Sequence, residues 1–189
     1  MKNSRFGCFV CLVGLLGGVS CEARKDRVKV QGEMNQEGGR DKVYEAVFVL
    51  DRFKKMISVT CVSEEVIYPR YYGGTYINDA GKPVILTTDT TKRELIRKLA
   101  GCDEVVVLPC AISYRYLKDV DDKIKSCLGD RPGLIEKVGI NTFGILTDKN
   151  CVDVSLVCCT PEKVELFKSL VVDDPCITFS ENVSRVVLQ

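Results

Sequence analysis

The chain contains an internal repeat: turns and apolar runs follow one another in the same order at residues 71–112 and at residues 138–180. In each stretch two apolar runs flank a short turn, and an amphipathic segment and a third apolar run follow. The turns, Asn78–Gly81 and Asp148–Asn150, contain residues that tolerate positive φ or form Asx turns, which is typical of β-hairpins. The pattern therefore predicts two similar ββαβ units.

Each amphipathic segment begins with residues that cap helices. Thr90 or Thr91 can cap the first segment, and Thr91 has Glu94 three residues later, as in a capping box; Thr160 is followed by a proline, which suits a first helical position. Helical spacing of apolar residues predicts two further helices, an N-terminal one at residues 41–60 and a connecting one at residues 113–128. We expect an α+β fold in which small, mainly antiparallel sheets carry helices on one face.

The N-terminus has the pattern of an export signal. Two basic residues precede an apolar run that ends in small residues and Cys21, and the run is too short to span a bilayer. It resembles a bacterial lipoprotein signal, in which Cys21 is lipidated; ordinary cleavage nearby and a retained membrane helix are the alternatives. We expect residues 1–21 to be the signal, residues 22–42 a flexible tether and residues 43–189 the folded domain.

Composition excludes several classes of function. The chain has no histidine, which removes Ser-His-Asp and Cys-His catalysis and imidazole metal sites. Its 27 basic and 26 acidic residues are scattered and give a net charge of +1, so we expect no nucleic-acid partner. We therefore expect a non-catalytic protein without metal or cofactor. It would lie in the cell envelope, held to a membrane only by a lipid anchor, or be secreted.

Eight cysteines follow the predicted signal, and an exported protein meets conditions that oxidise thiols. We expect one to three disulfides and buried thiols for the remainder, although spacing does not determine the pairing. Cys159 precedes a helix start, where a lowered thiol pKa would allow redox chemistry; a structural thiol is favoured because Cys158 continues one strand face. The candidates are Cys61, Cys102, Cys110, Cys127, Cys151, Cys158, Cys159 and Cys176.

Two stretches of the chain resemble a known family. Tyr71–Ile77, the turn after it and Val84–Thr87 are similar to the domain that precedes the catalytic domain in many secreted bacterial chymotrypsin-like serine proteases, related to the alpha-lytic protease prosegment. Val138–Ile140 and Phe143–Asp148 resemble the second half of that domain. The resemblance implies a protein partner, a serine protease, which the domain packs against, helps to fold and inhibits.

The chain departs from that family after its second half. Only nine residues follow Ser180, so we expect no protease domain within the chain and a role in trans. An envelope structural or glycan-binding lipoprotein and a thiol-based redox protein are the alternatives, and the sequence leaves the oligomeric state open.

The candidate interface residues are aromatic or β-prone. The favoured alternatives are core packing for the tyrosines and a last strand or frayed end for the tail. Strand alternation places Tyr72 and Tyr76 on one face and Tyr71 on the other, while Gly73 and Gly74 are expected to allow a bend or a close backbone approach. The tail after the last strand can act as an added strand in a partner's sheet. The candidates are Tyr71, Tyr72, Tyr76, Val186, Val187 and Leu188.

Overall fold

The computed structural model describes residues 37–60 and 66–181. Within this part of the chain there are five α-helices and eight strands. The helices are α1 (Glu37–Ile57), α2 (Arg93–Ala100), α3 (Tyr114–Asp130), α4 (Gly133–Val138) and α5 (Pro161–Leu170). The strands are β1 (Val59–Thr60), β2 (Val66–Ile67), β3 (Tyr72–Ile77), β4 (Pro83–Thr87), β5 (Val106–Pro109), β6 (Ile140–Leu146), β7 (Cys151–Leu156) and β8 (Ile177–Glu181).

The class is α+β, as predicted, but the two main sheets are mixed and not mainly antiparallel. In the first half β3 and β4 form an antiparallel hairpin, and β5 lies parallel to β4. In the second half β6 and β7 form the hairpin, and β8 lies parallel to β7. A helix, α2 or α5, carries the chain back along each sheet, so the strand after the helix runs in the same direction as the strand before it.

A further helix covers each sheet. α1 packs Phe53 and Ile57 onto the first sheet, and α3 packs Leu117 and Ile124 onto the second. Full burial of such side chains stabilises the fold by about 1.5–3 kcal/mol each. The helix predicted as a connection, α3, is therefore the sheet-covering helix of the second half and the counterpart of α1.

Side-chain caps position three helical segments. Ser113 and Thr160 cap α3 and α5, each accepting a hydrogen bond from the backbone N–H three residues later. The predicted cap at Thr91 is wrong: Asp89 accepts from the N–H of Thr91 at 3.0 Å and starts a short 3₁₀ turn ahead of α2. A carboxylate two residues upstream reaches this N–H in an Asx-type turn and takes the place of the capping box.

The boundaries of α1 differ from those predicted. α1 begins at Glu37, so the last six residues of the predicted tether, 37–42, are helical. It ends at Ile57, because the β-branched Val59 and Thr60 enter β1. The predicted signal, including Cys21, lies outside the described residues. No helix among residues 37–60 and 66–181 combines the length and the hydrophobicity that crossing a membrane requires.

Candidate functional site

The candidate interface tyrosines contribute mainly to the core. The ring of Tyr72 is 2% exposed and lies 4.9 Å from the ring of Tyr68 and 5.5 Å from that of Tyr114. Burial raises the pKa of Tyr72, because a low-dielectric site disfavours the phenolate. Tyr71 packs against the same core, and burial raises its pKa too. Tyr76 is half-buried.

A β-bulge at Gly73 changes the faces of the first strand. The residues on either side of Gly73 pair with the consecutive residues Thr87 and Leu86 of β4, so Gly73 is an extra residue in β3. One extra residue reverses the alternation beyond it. Tyr72 and Tyr76 therefore lie on opposite faces of the sheet, and the prediction that they share one face is wrong.

The hairpin of the second half is bound to the first half through Asn150. Oδ1 of Asn150 accepts from the N–H of Ile112 at 2.9 Å. Nδ2 of Asn150 donates to the carbonyl oxygens of Ile112 at 2.8 Å and Gly73 at 3.3 Å. Asn150 has a φ of 53°, in the left-handed region that Asn tolerates better than most residues. One side chain thus satisfies three backbone groups across the junction of the two halves.

Two glycines allow close approaches at β3, Gly73 within the first sheet and Gly74 at the contact with the second half. A Cβ at Gly73 would lie 2.2 Å from Sγ of Cys110, and a Cβ at Gly74 would lie 2.9 Å from Cγ2 of Thr147. Oγ1 of Thr147 also donates to the carbonyl oxygen of Thr75 at 3.1 Å. The predicted close backbone approach at the glycine pair is confirmed. Because the second half contacts β3 here, this edge of the first sheet is not open along its whole length.

The second sheet has a polar face opposite its helices. Oγ1 of Thr178 donates to Asp153 at 3.0 Å, and Oγ of Ser180 donates to it at 2.7 Å. A Cβ at Gly144 would meet no atom within 4 Å, so the space above it is open. The edge strands β6 and β8 pair only with β7 among the described strands. Strand register places six residues on this polar face: Thr142, Gly144, Asp153, Ser155, Thr178 and Ser180.

The seven described cysteines are free thiols, so the disulfides expected for them are absent from this part of the chain. Cys61 lies outside the described residues. Several of these thiols act as small apolar side chains; Cys176, for example, belongs to the second core. The free thiols are Cys102, Cys110, Cys127, Cys151, Cys158, Cys159 and Cys176.

Where the pKa of a described thiol is shifted, it is raised, which disfavours the reactive thiolate. Burial raises the pKa of Cys110. Burial and a hydrogen bond with the carboxylate of Asp174 raise the pKa of Cys176 to about 12. A redox cysteine needs the opposite shift, towards a stable thiolate. The candidate tail residues Val186, Val187 and Leu188 lie outside the described part of the chain.

Alkylation of the native chain with iodoacetamide at pH 8 is expected to modify Cys158 and to leave Cys176 intact. Cys158 is exposed, whereas Cys176 is 3% exposed. With a pKa of about 12, Cys176 is a thiolate in only about one molecule in ten thousand at pH 8. Peptide mapping by mass spectrometry measures each site. Prior reduction should not increase the number of described cysteines that are alkylated. An increase in that number would contradict the assignment of these cysteines as free thiols.

Each half of the chain matches a known family model. A family model described as the Pro-like N-terminal domain matches residues 28–110, and one described as the Pro-like C-terminal domain matches residues 115–182. The two halves of the chain are therefore similar to these Pro-like domains. The Pro-like N-terminal domain contains α1 and the first sheet, and the Pro-like C-terminal domain contains α3 and the second sheet. Among curated proteins, no relative matches this Pro-like chain.

The Pro-like assignment supports the prosegment resemblance seen in the sequence and extends it over most of the chain. It also places α3 within the second repeat, in agreement with its packing. Prosegment-like domains are generally non-catalytic and typically interact with a protease. The Pro-like chain is therefore best interpreted as a propeptide-like protein.

Proposed function

We propose that this protein is an exported, non-catalytic binding protein that acts in trans on a chymotrypsin-like serine protease. The match to both Pro-like domains carries this proposal. Binding of this kind needs a preformed surface and no chemically activated residue, which agrees with the raised pKa values of the Cys110 and Cys176 thiols. Its export, with Cys21 as a lipid anchor, is part of the proposal and derives from the N-terminal sequence pattern.

The second sheet is the proposed contact surface. β6 and β8 are its edge strands, and an edge strand can pair with an extended segment of a partner. The open space above Gly144 allows a partner to approach the polar face closely. The chain continues from β8 towards Val186, Val187 and Leu188, so we propose that this tail adds contacts beside the same edge.

We expect the full-length chain to bind and inhibit a chymotrypsin-like protease from its own organism. Gly144→Lys should weaken inhibition at least tenfold, because it places bulk and charge on the polar face without an internal clash. Gly129→Lys is the matched control: Gly129 is exposed, a Cβ there also meets no atom within 4 Å, and it lies at the end of α3. Gly129→Lys should leave inhibition unchanged. The inhibition constant for a chromogenic peptide substrate is the measurement.

Two results would contradict this proposal. If no such protease is bound, inhibited or helped to refold, the prosegment-like function is wrong even though the family assignment stands. If a protease is inhibited equally by both glycine variants, the protein binds proteases but the second sheet is not the contact surface.

A further inference from the structure

The outward face of α1 carries large apolar side chains. Tyr44 is 65% exposed and Phe48 is 74% exposed. Val43 and Val47, beside them, are 42% and 41% exposed. A helical segment that is apolar on all sides is normally covered on all sides. These exposed fractions show that the described residues cover only the side of α1 that faces the first sheet.

The equivalent helix of the second half has a charged outward face. When α1 and α3 are aligned by their buried residues, the places of Tyr44 and Phe48 are taken by Arg115 and Asp119. Both charged residues are exposed. A sheet-covering helix in this fold therefore does not need aromatic residues at these positions. Their presence on α1 indicates a contact surface.

A groove of about 670 Å³ lies beside the aromatic residues, between α1 and the end of α2. Phe48 and Arg52 form part of one wall, and Gly101 and Cys102 belong to the other. Nη2 of Arg52 donates to the carbonyl oxygens of Ala100 and Gly101. These bonds hold the guanidinium beside the groove, where an aromatic ring can stack on it.

We propose that α1 binds α1 of a second copy of this chain in an antiparallel, two-fold symmetric pair. Glu45, Phe48, Arg52 and Lys55 are spaced by three, four and three residues and so lie along one stripe of the helix. The antiparallel register that puts Phe48 over Arg52 of the second copy also puts Glu45 opposite Lys55 of the second copy. Two-fold symmetry makes each contact twice.

The charges along this stripe of α1 indicate that the partner of α1 is a second copy of the chain. Glu45 and Lys55 are exposed, and neither forms an ion pair with another described residue. Their order along α1 makes the surface complementary to itself when a second α1 runs in the opposite direction. Each copy contributes a single helix to the pair, so we expect a weak, reversible dimer, with a dissociation constant on the order of micromolar or above.

Sedimentation velocity of the full-length chain over a range of concentrations tests this pairing. A reversible monomer–dimer equilibrium is expected. Phe48→Asp, which copies the residue at the α3 position, should raise the dissociation constant at least tenfold without loss of folding. Ile135→Asp is the control, because Ile135 is 42% exposed on α4 and lies outside the stripe.

A charge exchange separates this geometry from non-specific association. Glu45→Lys alone and Lys55→Glu alone should each weaken the dimer, because each places like charges opposite one another twice. A mixture of the two variants should form a heterodimer with both ion pairs restored, as should the double variant with itself. A monomer at all concentrations, a dimer unaffected by Phe48→Asp, or no recovery on mixing would each overturn the proposal. None of these outcomes depends on protease binding, which is assigned to the second sheet.

Discussion

Asn150→Ala is expected to destabilise the protein by about 4 kcal/mol. The substitution removes two hydrogen bonds to the N–H and carbonyl of Ile112, in the segment that connects the halves, and one to the carbonyl of Gly73 in the first sheet. Leaving such partly buried backbone groups without partners costs about 1 kcal/mol or more for each group. Ala also tolerates the φ of 53° poorly, which adds about 1 kcal/mol. The measurement is the free energy of unfolding in urea.

Two comparisons separate the junction from local turn effects. Among the described residues, Oδ1 of Asn78 in the hairpin of the first half accepts only from the N–H groups of Ala80 and Lys82, within its own turn. Asn78→Ala should therefore cost only about 1 kcal/mol. Asn150→Gly should cost less than Asn150→Ala, because glycine adopts positive φ freely. Equal losses at Asn78 and Asn150 would show that Asn150 does not hold the halves together.

Gly73→Ala is expected to cost about 3 kcal/mol. The added Cβ would lie 2.2 Å from Sγ of Cys110 and 3.0 Å from Cβ of Leu86, so neighbouring groups must move. Overpacking of this kind typically costs 1–3 kcal/mol. The thiol cannot turn away freely, because it contacts the carbonyl oxygen of Ile112 at 3.5 Å. Thermal and urea unfolding both report this loss.

A double-mutant cycle identifies the clash. In the Cys110→Ala background, Gly73→Ala should cost about 1 kcal/mol less than in the natural chain, because Sγ is gone while Leu86 remains. Gly144→Ala is the matched control: it lies in β6 with no atom within 4 Å of its Cβ, and it should be neutral or stabilising by up to about 1 kcal/mol. An undiminished cost in the Cys110→Ala background would exclude the thiol as the cause.

Local sequence patterns predicted much of the fold and little of the two proposed contact surfaces. The hairpins at Asn78–Gly81 and Asp148–Asn150 were predicted because turn chemistry acts between neighbouring residues. The helices α1 and α3 were predicted because apolar spacing reflects their burial on a sheet. Gly73 and Gly74 predicted a bend or a close approach, but not that Gly73 is an extra residue, since the bulge depends on how β3 pairs with β4.

The aromatic face of α1 shows the same limit. Tyr44 and Phe48 are four residues apart, a helical spacing that core residues also have, so the sequence pattern does not mark them as an interface. Their exposure became visible only once the buried side of α1 was known. The expected disulfides were wrong for the described cysteines for a related reason: the number of thiols is a sequence property, but their pairing requires specific distances in space.

The sequence alone determined the repeated order of elements, the α+β class and the resemblance to a prosegment, because these depend on period, turn residues and short motifs. Which edges are covered, which tyrosines are buried and how the halves meet depend on contacts between residues far apart in the chain. Asn150 and Gly73 are 77 residues apart in the chain. They come into contact only when both surfaces have folded, so no pattern of local spacing predicts the contact.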